Sequence, residues 1–201
     1  MGIHSYFPWQ AKAKRVQIPY VKRKTIAWHP RVGEIFPNFN VPSTHGELDF
    51  WEWTEGSWVH VFNQPDLSNS VCCGEIISFA RESEAWAERG VKLLAPSNMS
   101  LTEQVAWQRD IVVLCSCEVR FPIVADEEAA IADAFCMRQE RGTVSHAFRR
   151  SFIIAPNLKI RMMLDYPDIV ERNPDEILRV IDALQMEEQQ MNAVPSYLPA
   201  N

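Results

Sequence analysis

The chain has 201 residues, 47% of them hydrophobic and 10% aromatic, enough to bury one core and too apolar for disorder throughout. No apolar run approaches the roughly 20 residues that span a bilayer, the first residues lack a signal-peptide core, and Tyr6 stands where myristoylation requires Ser or Thr, so a cytoplasmic protein with no membrane partner is expected. The formal net charge of −6 is split: residues 1–33 carry seven basic groups and no acid, giving +7, whereas the rest holds 13 basic against 26 acidic, giving −13.

An acidic body repels phosphate, so KRVQIPYVKRK reads as a solvated basic arm (residues 1–31), and no nucleic-acid partner is expected. GEIFPNFNVPSTHGELDF (33–50) predicts two short strands about a turn at His45 and Gly46, and SWVHVFN (57–63) predicts a strand by its β-branched and aromatic content. From Val71 to about Arg89 apolar residues recur every three or four positions up to Gly90, which predicts one long helix. VKLLAP (91–96) reads as a buried strand. Ser100 and Glu103 form a capping-box pattern opening a helix through Trp107. VRFPIVAD (119–126) leads into an acidic helix start at Asp126, Glu127 and Glu128. The strands SFIIAP and LKIRMMLDY follow. The last helix has Asn173 as its N-cap and Pro174 at its first position. This order predicts an α/β fold with a central mixed β-sheet flanked by helices.

Five cysteines (Cys72, Cys73, Cys115, Cys117, Cys136) are an odd count in a chain that needs no staples, so reduced thiols are expected. Cys72 and Cys73 open the long predicted helix. Cysteine reacts as thiolate, a thiol of pKa about 8.5 is mostly protonated at neutral pH, and a helix N-terminus favours the anion. Consecutive helical residues point about 100° apart, so one thiol at most faces a given pocket. Glu75 shares the Cys72 face and disfavours a thiolate, so a cation must come from elsewhere: Arg149, Arg150 or Arg172. The plainer alternative is that both thiols are small buried apolar residues.

Taken together, VGEIFPNFNVPSTHGELDFWEW, GSWVHVFNQPDLSNSVCCGEI, EQVAWQRDI, FPIVAD, RRSFIIAPNLKIRMMLDYP and ERNPDEILRVIDALQ resemble, in order, the landmarks of the peroxiredoxins, closest to the one-cysteine type. The resemblance implies a thioredoxin-like fold over residues 32–190, with 191–201 a truncated C-terminal extension. It implies a peroxidase that reduces hydrogen peroxide or organic hydroperoxides through a cysteine sulfenic acid, recycled by an external thiol. No metal or organic cofactor is implied, and a homodimer or higher homo-oligomer is. Counting from Pro65, which would shield the thiolate, makes Cys72 the nucleophile and puts Asn69 where the family has threonine. Counting back from Pro156 makes Arg149 the active-site arginine, with Arg150 the alternative if the register slips by one. Glu75 and Arg172 fall at supporting positions.

The chain departs from the family pattern at Asn69, whose amide replaces a hydroxyl, at Gln64, where histidine is usual, and at Cys73 and Gly74. These departures motivate an alternative: a degenerate member with little peroxidase activity that acts as a redox sensor or a binding and assembly module. The remaining candidates read as structural. Cys115 and Cys117 lack the further ligands a metal would need, Cys136 is expected inside a helix, and His60 and His146 read as ordinary polar residues.

Overall fold

Every residue of WVHVF is buried, because both faces of the sheet it joins are covered. The computed structural model describes residues 30–64, 70–141, 144–147, 149–167 and 169–193. In chain order these form β1 (Asn40–Ser43), β2 (Gly46–Asp49), α1 (Phe50–Thr54), β3 (Trp58–Phe62), α2 (Ser70–Arg81), α3 (Ser83–Glu88), β4 (Val91–Ser97) and α4 (Leu101–Cys115). After them come β5 (Ile123–Ala125), α5 (Ala130–Ala134), β6 (Arg138–Arg141), β7 (Val144–Ala147), β8 (Arg149–Ile154), β9 (Ile160–Tyr166) and α6 (Pro174–Ala193).

Seven strands make one mixed sheet in the order β2-β1-β5-β4-β3-β8-β9, and β6 and β7 make a separate hairpin. The pairs β3–β4 and β4–β5 are parallel; the others are antiparallel. Alternation along β3 divides the core. Trp58 and Phe62 join Ile76, Phe79, Trp86, Ile177 and Ile181 under α2, α3 and α6, whereas Val59 and Val61 join Phe36, Phe39, Phe50, Phe135 and Phe152 on the opposite face.

The expected mixed α/β sheet is present, with several boundaries moved. The predicted helix from Val71 to Arg89 is two helices: the Trp86 indole N–H donates to the Phe79 carbonyl at 3.1 Å, occupying an acceptor that a continuous helix would use itself. The capping box at Ser100 and Glu103 is present, and α4 runs eight residues past Trp107 to Cys115. Asp126 caps α5 through both carboxylate oxygens, at 2.9 Å to the N–H groups of Ile131 and Ala132, while Glu127 and Glu128 lie in the preceding turn. Cys136 is not helical; it follows α5 at φ 54°. Asn173 Oδ1 accepts from the Asp175 N–H at 2.8 Å, as an N-cap should. The strand pair about His45 is β1 and β2, turning through Thr44 and His45 with Gly46 at φ 98°. The basic arm up to residue 29 and the chain from 194 lie outside the described residues.

Candidate active site

Beyond Phe62 the chain leaves the sheet at the C-terminal end of the parallel pair β3–β4, the end of an open α/β sheet where crevices form. The Gln64 N–H donates to the Pro96 carbonyl at 2.7 Å and fixes this exit against β4. Two members of the expected site, Pro65 and Asn69, lie outside the described residues. Helix α2 begins at Ser70 and carries Cys72, 3% exposed, in its first turn, where backbone N–H groups and the helix dipole favour negative charge. Cys73 is half-buried on another side of the helix.

Glu75 lies one turn further along, on the Cys72 face, and is 1% exposed. Its carboxylate is surrounded by donors. Oε1 is ion-paired with Arg149 Nη2 and accepts from the backbone N–H of Arg172; Oε2 accepts from Arg172 Nη1 at 2.9 Å and from Gln64 Nε2 at 2.9 Å. Arg149, at the start of β8, also donates to the Val170 carbonyl at 2.8 Å. Arg172, just before α6, donates to the Asn63 carbonyl at 3.1 Å, to Asn63 Oδ1 at 3.0 Å and to the Arg150 carbonyl at 3.2 Å. Its guanidinium stands over the rings of Phe62 and Tyr166, at 5.8 and 5.7 Å.

Both arginines are fully buried, so two positive charges share one carboxylate in a dry site. Burial pulls Arg172 down to about 10; Glu75 opposes that fall, Arg149 adds to it, and a negative Cys72 opposes it. Cys72 is therefore within electrostatic reach of Arg172, and the cluster without a thiolate carries one uncompensated positive charge. It can hold an additional anion.

Cys72, Glu75, Arg149 and Arg172 thus converge. Arg150 does not join them through its side chain. Alternation along β8 turns that side chain the other way, to a paired contact with Asp165 at 2.5 and 2.7 Å and to the Phe135 carbonyl at 3.3 Å. Its backbone does contribute, because its N–H donates to Asn63 Oδ1 at 2.7 Å. Asn63 and Gln64 are the members that sequence reasoning missed. Gln64 registered only as the loss of a titrating group, whereas its amide supplies a donor to Glu75. His60, expected to be an ordinary polar residue, is fully buried among Phe62, Phe79 and Trp86, and burial holds its pKa well below the ordinary value.

The model of the AhpC/TSA family matches residues 32–163. A peroxiredoxin of Aquifex aeolicus is 32% identical over 167 residues, covering 83% of this chain and 75% of that protein. Peroxiredoxin 2 of Caldanaerobacter subterraneus is 35% identical over 156 residues, covering 78% and 70%. Among solved structures, a mutant peroxiredoxin 6 of Arenicola marina superposes with a TM-score of 0.73 at 34% identity, covering 79% of this chain and 75% of that one. A yeast mitochondrial 1-Cys peroxiredoxin gives 0.74 at 30% identity, covering 85% and 84%. Among the described residues no helix is long and apolar enough to cross a membrane. With its mixed sheet, its buried cysteine at a helix start and these relatives, the chain belongs to the AhpC/TSA family of peroxiredoxins and is a thiol peroxidase of thioredoxin-like fold.

Proposed function

We propose that this peroxidase works by the one-cysteine route, with Cys72 as its nucleophile. The observation that carries the reading is the buried charge cluster. Two guanidiniums and one carboxylate leave a positive charge that a Cys72 thiolate neutralises, in the first turn of a helix whose dipole acts in the same sense. The thiolate attacks one oxygen of a hydroperoxide, the O–O bond breaks, and the leaving oxygen takes a proton and departs as water or an alcohol, leaving a sulfenic acid. Arg149 and Arg172 stabilise the charge that moves from sulfur to the leaving oxygen, and Glu75 positions both guanidiniums. Pro65 and Asn69 complete the expected pocket, as shield and polar contact.

An external thiol then condenses with the sulfenic acid, releasing water and forming a mixed disulfide that a second thiol reduces. In the yeast mitochondrial 1-Cys peroxiredoxin, thiol resolution runs via glutathione and thioredoxin systems, which supports small-thiol or dithiol reductants for this chain too. Strand β9 ends the sheet order among the described residues and presents an edge on which a second copy can pair, which supports the homodimer. The expected cytoplasmic location and the division into basic arm (1–31), peroxiredoxin domain (32–190) and C-terminal extension (191–201) belong to the same reading.

The test is a single turnover with one equivalent of hydrogen peroxide or cumene hydroperoxide, followed by a sulfenic-acid-specific trap and peptide mapping. Cys72 is expected to be trapped well ahead of the other four cysteines. Equal labelling of all five sinks the mechanism and leaves the degenerate alternative.

A further inference from the structure

Hydrogen bonds alone do not account for the placement of the Arg172 guanidinium. Nη1 and Nη2 donate to Glu75, to Asn63 and to the Arg150 carbonyl, but Nε is buried and makes no hydrogen bond among the described residues. Two aromatic rings flank the group instead, Phe62 at 5.8 Å and Tyr166 at 5.7 Å from Cζ. Phe62 faces Ser151 across the ladder and Tyr166 faces Arg149; Ser151 and Arg149 are two positions apart on β8, so all four share one face of the sheet. Phe62 lies on β3 and Tyr166 on β9, with β8 between them, and neighbouring strands are about 4.8 Å apart. A cation within about 6 Å of both rings therefore stands between them. Tyr166 also adjoins Arg149, because residues directly opposite in an antiparallel pair have Cβ atoms about 4.5–5.5 Å apart. After β9 the Val170 N–H donates to the Pro167 carbonyl at 3.0 Å, a turn that brings the chain back and returns Arg172 over the Tyr166 ring. Tyr166 is half-buried at the edge strand, whereas the two arginines behind it are 1% exposed, so its ring forms the outer wall of the cluster.

We infer that Tyr166 is a positioning residue for the peroxidase reaction: the face of its ring, together with that of Phe62, holds the Arg172 guanidinium on Glu75 and within reach of Cys72. The inference rests on Cys72 as the nucleophile. Hydrogen bonds fix a guanidinium within its own plane, and a ring face fixes it across that plane, so the two sets of contacts are not redundant. The attraction of a cation to a ring is strongest where water is excluded, as it is at this cluster. Burial pushes the Tyr166 phenol up, so the ring stays neutral and acts through its π face. Without the ring, Arg172 tilts away from Glu75 and water reaches the cluster from the β9 edge. The Cys72 thiolate then loses part of the positive charge that favours it. In this role Tyr166 takes no proton and touches no reacting atom.

The experiment compares full-length wild type, Tyr166→Leu and Tyr166→Phe. Iodoacetamide alkylation, mapped cysteine by cysteine from pH 5 to 9, gives the thiolate midpoint of Cys72, and stopped-flow peroxide consumption gives the rate. Wild-type Cys72 is expected to have the lowest midpoint of the five. In Tyr166→Leu that midpoint should rise by about one pH unit and turnover at pH 7 should fall about tenfold, the scale of one desolvated cation–π contact. Tyr166→Phe keeps the ring and should stay within about threefold of wild type. Turnover of the Leu variant should climb again as the pH passes its new midpoint, which a general loss of structure would not produce. An unmoved Cys72 midpoint in Tyr166→Leu, or a Phe variant as impaired as the Leu variant, overturns the inference. If Tyr166→Leu does not fold, tetrafluorophenylalanine at position 166 keeps the ring's shape and weakens its negative face. Equal Cys72 midpoints for that residue and for Tyr166→Phe overturn the inference in the same way. A wild type in which another cysteine has the lowest midpoint overturns the Cys72 reading and this inference with it, whereas a low Cys72 midpoint indifferent to residue 166 overturns this inference alone.

Discussion

Replacing Glu75 by Gln keeps the volume of the side chain and removes one charge from the buried cluster. The carboxylate pairs with Arg149 Nη2 and accepts from the Arg172 N–H, Arg172 Nη1 and Gln64 Nε2, so four N–H-bearing nitrogens face it. An amide has one oxygen and one NH2, so whichever way it is turned, its NH2 confronts two donors. Two guanidiniums, each 1% exposed, then lose their shared counter-ion. Removing one partner of a buried ion pair costs about 3–5 kcal/mol. Against a total stability of about 5–15 kcal/mol, the variant should fold with much of its margin gone. Urea unfolding followed by circular dichroism at pH 7 measures the loss, and Arg149→Met alone and combined with Glu75→Gln completes a double-mutant cycle, for which a coupling of about 1–3 kcal/mol is expected. A loss below about 1 kcal/mol for Glu75→Gln, the level of a surface pair, would refute the argument that this carboxylate holds the cluster together.

Adjacent arginines give a sharper functional contrast. Arg149→Met should lower peroxide turnover on the order of 10²–10³-fold, the scale for removing one preorganised electrostatic contact, as read by stopped-flow peroxide consumption. Arg150→Met removes a partly exposed pair with Asp165 and should leave turnover within a factor of about three; equal losses would contradict the register found in β8. His60 sets an acid limit. Burial depresses its pKa in the folded state, so the unfolded chain takes up its proton first as pH falls below the ordinary value of 6.5, and stability present above that pH is lost below it. This group alone should cost about 1.4 kcal/mol between pH 7.5 and 5.5, and His60→Phe should flatten that part of the urea midpoint against pH profile; an unchanged profile refutes the assignment. Gly74→Ala should stabilise by up to about 1 kcal/mol in thermal unfolding, since the added Cβ meets only Glu171 Oε1 at 3.4 Å, an ordinary contact distance. A fall in melting temperature would show that the second turn of α2 needs its looseness.

Features carried by short-range chemistry were legible in the sequence. The capping box at Ser100, the Asn173 cap and the apolar periodicity of α2 each act within one or two turns, and the motif spacing from Pro65 to Cys72 and back from Pro156 to Arg149 needs no coordinates. The helix break at Glu82 was not legible, because it is set by the Trp86 indole reaching back to the Phe79 carbonyl, a contact with no periodic signature. Likewise His60 looks polar in sequence. It becomes a core residue once α2 and α3 lay Phe79 and Trp86 on its face of β3.

The main alternation of strands and helices was legible in the sequence alone, because spacing along an element dictates which side chains share a face, and the family resemblance singled out Cys72, Glu75 and Arg172 together with one of two adjacent arginines. Tertiary structure decided between Arg149 and Arg150, since pairing with β9 settles which of two neighbours points inward. It also recruited Asn63 and the Val170 carbonyl to hold the arginines, and Gln64 to hold Glu75. Those contacts join residues from about ten to more than a hundred positions apart, and only packing in three dimensions selects such partners.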